Sequence, residues 1–214
     1  MKASRNRLFA VSMAIAGNEK EASSSENANA LPVARQQETA TMTPIERLAA
    51  KADGKQRELI ENQRGITYFG LFGPYLAGAK KIVVEDAYVR KPYQLRNLAE
   101  FLEMLLRCKN PDEDVAVHLV TGHNEPGFME AQLDGLNELA STFSQLGVNL
   151  TYEFRDTLHD RSITSDTGWE ILPGRGLDIF QKFVDGDWLN PLLRHQQLRR
   201  VKECKITYRR IDEK

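Results

Sequence analysis

Between residues 81 and 154 the hydrophobic pattern alternates between the period of a β-strand and that of an α-helix. Strand patterns cover 81–85, 115–121 and 148–154. Helical patterns cover 92–107 and 127–145, one in each gap between the strands. Few architectures accommodate strand, helix, strand, helix, strand in this order. The sequence therefore predicts a parallel or mixed sheet that is covered by helices.

The segment after the third strand pattern carries His159, Arg161 and Asp166, spaced as H-x-R-x4-D. If 159–165 is a strand, side chains two residues apart project from the same face, and so His159 and Arg161 project together. An imidazole can attack phosphorus or transfer a proton, a cation can hold phosphate oxygens, and a carboxylate can orient the ring. The spacing predicts that all three side chains meet at one phosphate.

A further strand pattern, 169–172, follows a Thr167-Gly168 turn and leads into a Gly174-Arg175-Gly176 loop. Two glycines allow the backbone to approach a ligand closely, while the guanidinium between them reaches it. We therefore predict Arg175 as a ligand-binding residue beside the histidine and the arginine of the motif.

The spacing H-x-K-x4-D is the signature of the phospholipase D superfamily, which this chain resembles with Arg161 in place of the lysine. Longer segments extend the resemblance, namely LFGPYLAGAKKIVVEDAYVRKPYQLRNLAEFLEMLL, HLVT and LHDRSITSDTGWEILPGRGLDIF. Over about 65–210 the chain resembles the phospholipase D-like domain found at the C-terminus of MIT-domain proteins, a domain that also occurs in bacterial chains. The resemblance implies an α/β phospholipase D-like mixed sheet flanked by helices, over 65–211.

The same resemblance implies binding rather than chemistry, because the animal members are regarded as membrane-binding, dimer-forming modules without demonstrated lipase activity. The residue change agrees with this, since an arginine forks onto phosphate and stays charged, whereas a lysine is a compact point charge. We therefore predict a non-catalytic domain that binds an anionic phosphate ligand, either a lipid head group or a nucleic-acid backbone, and that forms a homodimer.

Two other functions stay open at this point. Phospholipase D-type enzymes need two copies of the motif, and this chain has one because His118, His123 and His195 fail the spacing. A phosphodiesterase or nuclease would therefore be active only as a dimer, with the motif residues in the catalytic roles. The other alternative is a purely structural dimerisation domain that binds no ligand.

Acidic, aromatic and basic residues lie at the end of the first strand pattern, namely Glu85, Asp86, Tyr88 and Arg90. Open α/β sheets place ligands at the C-terminal edge of their strands. Asp86, Tyr88 and Arg90 are therefore further candidates for ligand binding. A turn closed by a salt bridge would account for the same residues.

The C-terminal segment 194–210 combines apolar residues with basic ones. The basic residues are Arg194, Arg199, Arg200, Lys202, Lys205, Arg209 and Arg210. The pattern predicts a strand with a basic face, on which Arg199 and Arg200 contact an extended polyanion. An edge strand protected by its charges is the structural alternative.

A net charge of -1 gives the chain no overall attraction to nucleic acid or membranes, so any attraction must be local. Cys108 and Cys204 have no metal-ligand spacing around them, and the sequence predicts neither a metal site nor a cofactor. We expect a reduced, cytoplasmic protein. The basic and apolar segment 2–16 has the outline of a short secretory signal, which makes secretion the alternative.

Composition divides the chain into three parts. Residues 1–42 predict a disordered linker, or a vestigial or targeting segment, because most of them are small or polar. The sequence Thr43-Pro44-Ile45-Glu46 is typical of a helix start and predicts a helix over 43–64. The phospholipase D-like domain follows, and we expect its apolar segment Tyr68–Leu76 to supply a two-fold dimer interface.

The resemblance also implies partners. Some larger bacterial proteins, Lon-related and tied to phage defence, carry such a domain at their C-terminus, and this chain resembles only that tail. It contains no Walker-type motif and no protease motif. We therefore expect a bacterial member of the family that works within a larger AAA or Lon-related defence assembly.

Overall fold

The computed structural model describes residues 42–182 and 190–211. Within these ranges the chain forms one mixed sheet with helices packed against it, which confirms the α/β class predicted from the sequence. The predicted linker or targeting segment, 1–42, lies outside the described residues except for its last residue.

The strands of the described residues are β1 (Arg57–Leu59), β2 (Lys81–Asp86), β3 (Val115–Thr121), β4 (Val148–Phe154), β5 (Arg161–Ser165), β6 (Trp169–Pro173) and β7 (Cys204–Arg210). They form one sheet in the order β1-β7-β6-β5-β2-β3-β4. β2, β3 and β4 are parallel, and the other neighbouring strands are antiparallel. The alternating hydrophobic pattern thus forms the parallel half of the sheet, and the motif segment begins the antiparallel half.

The helices are α1 (Pro44–Ala49), α2 (Tyr68–Leu76), α3 (Pro92–Leu106), α4 (Met129–Ser144) and α5 (Pro191–Arg194), with 3-10 turns at Pro126–Phe128 and Gln196–Leu198. α3 and α4 connect the parallel strands. α3 buries Leu98, Leu102 and Leu105, because a helix brings residues three and four apart onto one face. No helix in the described ranges is long and apolar enough to cross a bilayer.

Helix α2 lies in the hydrophobic core. Tyr68 and Phe72 are fully buried, and the rings of both contact Phe101. The Tyr68 hydroxyl donates to the carbonyl oxygen of Leu177, and burial raises the pKa of this phenol. Burying each such ring stabilises the fold by about 1.5–3 kcal/mol, so this apolar face is not available to a second chain. The predicted dimer interface over Tyr68–Leu76 is therefore wrong.

Helix α1 is much shorter than predicted. Its capping box is confirmed, because the Thr43 hydroxyl accepts from the amide of Glu46 at 3.2 Å and the Glu46 carboxylate accepts from the amide of Thr43 at 2.7 Å. The helix ends at Ala49, and the prediction for the rest of 43–64 is wrong. Gly54 takes a left-handed φ of 65°, and β1 then pairs with β7. The charged residues of this stretch offer no apolar face to hold a helix, so pairing in the sheet outweighs helical propensity.

Candidate functional site

The C-terminal edge of the parallel strands exposes a turn that starts at the end of β2. The amide of Tyr88 donates to Oδ1 of Asp86 at 3.1 Å, and the amide of Arg90 donates to the carbonyl of Tyr88 at 2.9 Å. These bonds close a tight turn that leaves Tyr88 45% exposed. β5 is antiparallel to β2 and begins at Arg161, opposite Asp86. The register of the sheet thus brings Arg161 to the same edge.

Two arginines lie against the ring of Tyr88. The guanidinium carbon of Arg161 is 4.4 Å from the ring centroid, and that of Arg90 is 5.5 Å from it. Arg161 donates from Nη1 to the carbonyl of Gly174 at 2.8 Å, and Arg90 donates from Nε to the carbonyl of Ala87 at 2.7 Å. We call Tyr88, Arg90 and Arg161 the Tyr88 cluster. Cation–π contacts hold its two charges beside one exposed phenol ring.

A buried carboxylate lies next to the Tyr88 cluster. Asp86 is 3% exposed and accepts from the amides of Tyr88 and Leu177, both at 3.1 Å. Nε of Arg161 is 3.7 Å from Oδ1 of Asp86, which is an ion pair rather than a hydrogen bond. Burial raises the pKa of Asp86, although the two amides and Arg161 act in the opposite direction. The carboxylate therefore orients Arg161 from the protein side, while 28% of the arginine side chain stays exposed.

The Gly174-Arg175-Gly176 loop packs against this carboxylate. Gly176 has a φ of 60°, and a Cβ at this position would lie 1.9 Å from Oδ2 of Asp86. The sequence predicted that the glycines let the backbone approach a ligand closely. In the structure the backbone at Gly176 instead approaches Asp86, which only a residue without a side chain permits. Arg175 donates from Nε to the carbonyl of Glu203 at 2.9 Å. The structure therefore directs Arg175 to the segment before β7, and its role in ligand binding stays a prediction.

The predicted convergence of His159, Arg161 and Asp166 is wrong. β5 begins at Arg161, so His159 precedes the strand, where it is exposed. Asp166 follows the other end of β5 and accepts from the amide of Lys80 at 3.0 Å. An extended strand advances about 3.3 Å per residue, which separates Arg161 from Asp166 by roughly 16 Å along the chain. Arg161 is the motif residue that belongs to the Tyr88 cluster.

The strand predicted within 194–210 forms as β7, with Lys205, Arg209 and Arg210 exposed, but the predicted position of Arg199 on its basic face is wrong. Arg199 precedes β7 and is 5% exposed. It donates from Nη1 to both carboxylate oxygens of Glu100, at 2.9 and 2.8 Å, and lies 4.3 Å from the ring centroid of Phe180. Burial lowers the pKa of this arginine and removes it from any ligand. Arg200 is exposed but likewise precedes β7, and β7 itself is an inner strand rather than an edge.

Three of the other basic residues of this segment contact the domain itself. Lys202 pairs with Asp178 at 2.8 Å, Arg209 pairs with Glu170 at 2.7 Å, and Arg210 donates to the carbonyl of Thr167 at 2.8 Å. The charges of these three residues are therefore partly engaged within the domain, whereas Arg194 and Lys205 are exposed.

The arrangement of these elements agrees with a known family. The family described as "Phospholipase D-like domain at C-terminus of MIT" matches residues 65–210. The chain belongs to this family. Over 136 residues it is 38% identical to MIT domain-containing protein 1 of Mus musculus, a match that covers 62% of the chain and 54% of the mouse protein. The chain thus spans about half the length of this curated relative, and the resemblance predicted from its motifs is confirmed.

The phospholipase D-like domain carries a further polar pair at the same sheet edge, which the motif did not predict. His123 follows β3, and its Nδ1 lies 3.0 Å from Oδ2 of Asp156 in the loop after β4. The motif spacing excludes His123. Its position directly after a parallel strand is the signal in the sequence that points to it.

A cavity of about 400 Å³ adjoins this edge of the phospholipase D-like domain. Its lining residues are Lys91, Pro92, Tyr93, Asn124, Glu125, Phe128 and Lys182. The side-chain amide of Asn124 donates to the carbonyl of Arg90 at 3.1 Å, which joins the cavity wall to the turn of the Tyr88 cluster. Within the described ranges, no three His, Cys, Asp or Glu side chains are grouped so that they could hold a metal ion.

Proposed function

We propose that this phospholipase D-like domain binds an anionic phospholipid head group without cleaving it. The observation that carries the proposal is the Tyr88 cluster, in which two guanidinium groups lie against one exposed ring beside the buried Asp86. The domain acts in this proposal as an accessory module of a larger protein or assembly, and the free thiols of Cys108 and Cys204 suit a reducing, cytoplasmic location.

The two arginines keep donors for a phosphate. Among the described residues, no hydrogen-bond acceptor contacts Nη2 of Arg161 or either Nη atom of Arg90. The fork of a guanidinium matches the oxygens of a phosphate, and such charge-assisted bonds are roughly twice as strong as neutral ones. Each contributes about 1.5–3 kcal/mol. Both guanidinium carbons lie within 5.5 Å of the centroid of the Tyr88 ring, and in this proposal both cations serve one head group.

The size of the charged surface favours a head group over a nucleic-acid backbone. Nucleic acids are bound by many cations that follow successive phosphates. The C-terminal segment offers few cations for such a track, because Arg199 is buried and Lys202, Arg209 and Arg210 contact the domain, which leaves Arg194, Arg200 and Lys205. The Tyr88 cluster is instead a compact site for one phosphate.

An exposed aromatic side chain near the site also favours a membrane ligand. Phe128 is 60% exposed and lines the cavity together with Lys91 and Lys182. An aromatic ring between cations can enter the interfacial layer of a bilayer while the lysines meet anionic head groups. The cavity and the Tyr88 cluster share one edge of the sheet through the bond from Asn124 to Arg90.

Binding without cleavage agrees with the positions of the motif residues. A phospholipase D-type reaction needs a histidine nucleophile beside the cation that holds the phosphate. Here His159 precedes β5, so pairing in the sheet does not fix it beside Arg161, and the carboxylate of Asp166 lies at the far end of that strand. Arg161 remains to bind the phosphate with Arg90.

The test is a binding titration of the full chain with vesicles of phosphatidylcholine alone and of phosphatidylcholine with phosphatidylglycerol. A single-stranded oligonucleotide is the second ligand, and both are titrated at two salt concentrations. Arg161→Gln and Arg90→Gln should each weaken binding to the anionic vesicles about tenfold, the equivalent of one charge-assisted bond. Arg209→Gln is the matched control, because this arginine pairs with Glu170 on the sheet, and it should leave binding unchanged.

The other outcomes separate the alternatives. Tighter, steeply salt-dependent binding of the oligonucleotide would replace the lipid with nucleic acid. Hydrolysis of either ligand that disappears in His159→Ala would establish a phosphodiesterase. Binding of neither ligand by a chain that sediments as a dimer would leave a structural dimerisation domain.

A further inference from the structure

The side chain of His123 is held in one orientation by three contacts. Its Nδ1 lies 3.1 and 3.0 Å from the two carboxylate oxygens of Asp156, and its own amide donates to Oδ1 of Asp156 at 2.9 Å. The imidazole also stacks on Phe154, with 4.3 Å between the ring centroids and 17° between the planes. These contacts fix the orientation of the ring and leave Nε2 directed away from the carboxylate.

The loop that carries His123 is fixed as well. The side chain of Gln132 donates to the carbonyls of Gly122 and Val89, at 3.0 and 2.8 Å, and accepts from the amide of Asn124 at 2.8 Å. Gln132 is 1% exposed. A buried amide with all these bonds holds the backbone on both sides of His123 in place.

Asp156 decides which ring nitrogen of His123 carries the hydrogen. An ionised carboxylate is only an acceptor, so Nδ1 of His123 must donate to it. The pKa of Asp156 is lowered by hydrogen bonds from the amide and the ring of His123, and further by the charge of Arg90, so the carboxylate stays ionised in weak acid. The second proton of the imidazole then enters at Nε2. A protonated His123 presents an N–H and a positive charge on the side opposite to Asp156.

Arg90 joins this histidine to the Tyr88 cluster. A Cβ built on Gly122 would lie 2.2 Å from Nη2 of Arg90, which shows that the guanidinium rests on the backbone just before His123. Asp156 contacts the imidazole, and Arg90 from the turn after β2 acts on the same carboxylate, while Arg155 and Glu125 are the charged residues nearest to this pair in the sequence. Arg155 is already paired, since it lies near both Glu85 and Glu153.

We infer that His123, oriented by Asp156, is a further ligand-binding residue of the anion site, and that its protonated Nε2 donates to an oxygen of the phosphate held by Arg90. This inference rests on the proposed function and adds its regulation. Binding strengthens as the pH falls, because a protonated His123 gives the anion an additional positive charge to contact. With one proton coupled to binding, affinity changes by at most about tenfold per pH unit.

The experiment measures binding of the full chain to vesicles that contain phosphatidylglycerol, whose phosphodiester does not titrate in the range used, between about pH 5.5 and about pH 7.5. The parent chain should bind several-fold more tightly at the acidic end. His123→Gln should lose this gain and bind at all pH values as the parent does at the alkaline end. Asp156→Asn should reduce the gain, because it removes the charge that orients the ring.

The matched control is His118→Gln. His118 lies within β3 and also contacts a carboxylate, with its Nε2 3.7 Å from Glu153, but it is not at the strand end. This variant should keep the full pH dependence. If His123→Gln still binds the vesicles more tightly at low pH, or if His159→Gln is the variant that loses this increase, the inference about His123 is wrong while the proposed function stands. A parent chain that binds the vesicles at no pH would overturn the proposed function with it.

Discussion

Arg161 and Arg199 each lie beside a carboxylate and over an aromatic ring. Arg199 donates twice to Glu100 and covers Phe180; Arg199 and Phe180 are buried, and the side chain of Glu100 is 16% exposed. Arg161 is 3.7 Å from Asp86 and covers Tyr88, but part of its guanidinium and nearly half of the tyrosine are exposed. The same three kinds of group therefore make a structural clamp at Arg199, where they are mostly buried, and the proposed binding site at Arg161, where the outer side is exposed.

The largest difference between the two arginines should appear in stability. Arg199→Met leaves Glu100 without its partner in a mostly buried position, and breaking a buried ion pair costs about 3–5 kcal/mol. Arg161→Met should cost about 1 kcal/mol, because Asp86 keeps both of its backbone amides. Urea unfolding of the two variants measures the contrast. Equal losses would show that Arg161 is also a structural clamp.

A smaller loss of stability is expected where the backbone approaches Asp86. Gly176→Ala places a Cβ 1.9 Å from the carboxylate at a left-handed φ, which should lower the free energy of unfolding by about 1–3 kcal/mol. It should also weaken binding to anionic vesicles, because displacing Asp86 releases Arg161. The control is Gly127→Ala, since a Cβ at Gly127 has no neighbour within 4 Å. A Gly176→Ala chain with the stability of this control would contradict the close approach.

The smallest effect concerns the pH dependence of stability at Asp86. Burial raises the pKa of this carboxyl group in the folded chain. A carboxyl group whose pKa is higher in the folded chain than in the unfolded chain stabilises the fold while it is protonated. This contribution is complete below the pKa of the unfolded chain and is lost as the pH rises through the pKa of the folded chain. The stability of the parent relative to Asp86→Asn should therefore fall as the pH is raised from about 4 to about 7. Urea unfolding at several pH values tests this, and a relative stability that rises with pH would contradict it.

The parallel half of the sheet could be predicted because its signals are local. The leucines of α3 recur three or four residues apart, and β2 contains a short run of β-branched residues. The local sequence is therefore enough to predict both elements. The turn after β2 could be named as a site for the same reason, since residues directly after a parallel strand lie at the exposed edge of the sheet. Asp86, Tyr88 and Arg90 lie there as predicted.

The features that could not be predicted depend on partners far away in the chain. Arg199 meets a carboxylate 99 residues earlier, and nothing in 194–210 distinguishes it from an exposed arginine. β1 forms because β7 supplies its hydrogen bonds, although the local sequence favours a helix. The start of β5 at Arg161 likewise depends on pairing with β2, and this register places Arg161 and Asp166 at opposite ends of the strand.

The pairing of β1 with β7 also determines how the domain responds to a pulling force. Arg57 at the start of β1 is opposite Ile206, and Leu59 at its end is opposite Cys204. The chain therefore enters and leaves this strand pair at the same end. Tension applied through residues 57 and 210 pulls the two strands apart from one end. The hydrogen bonds between them therefore break one after another instead of being loaded together in shear. Force applied at both ends of the domain thus separates β1 from the sheet at low force. The Tyr88 cluster, at the end of β2 and the start of β5, lies outside this strand pair.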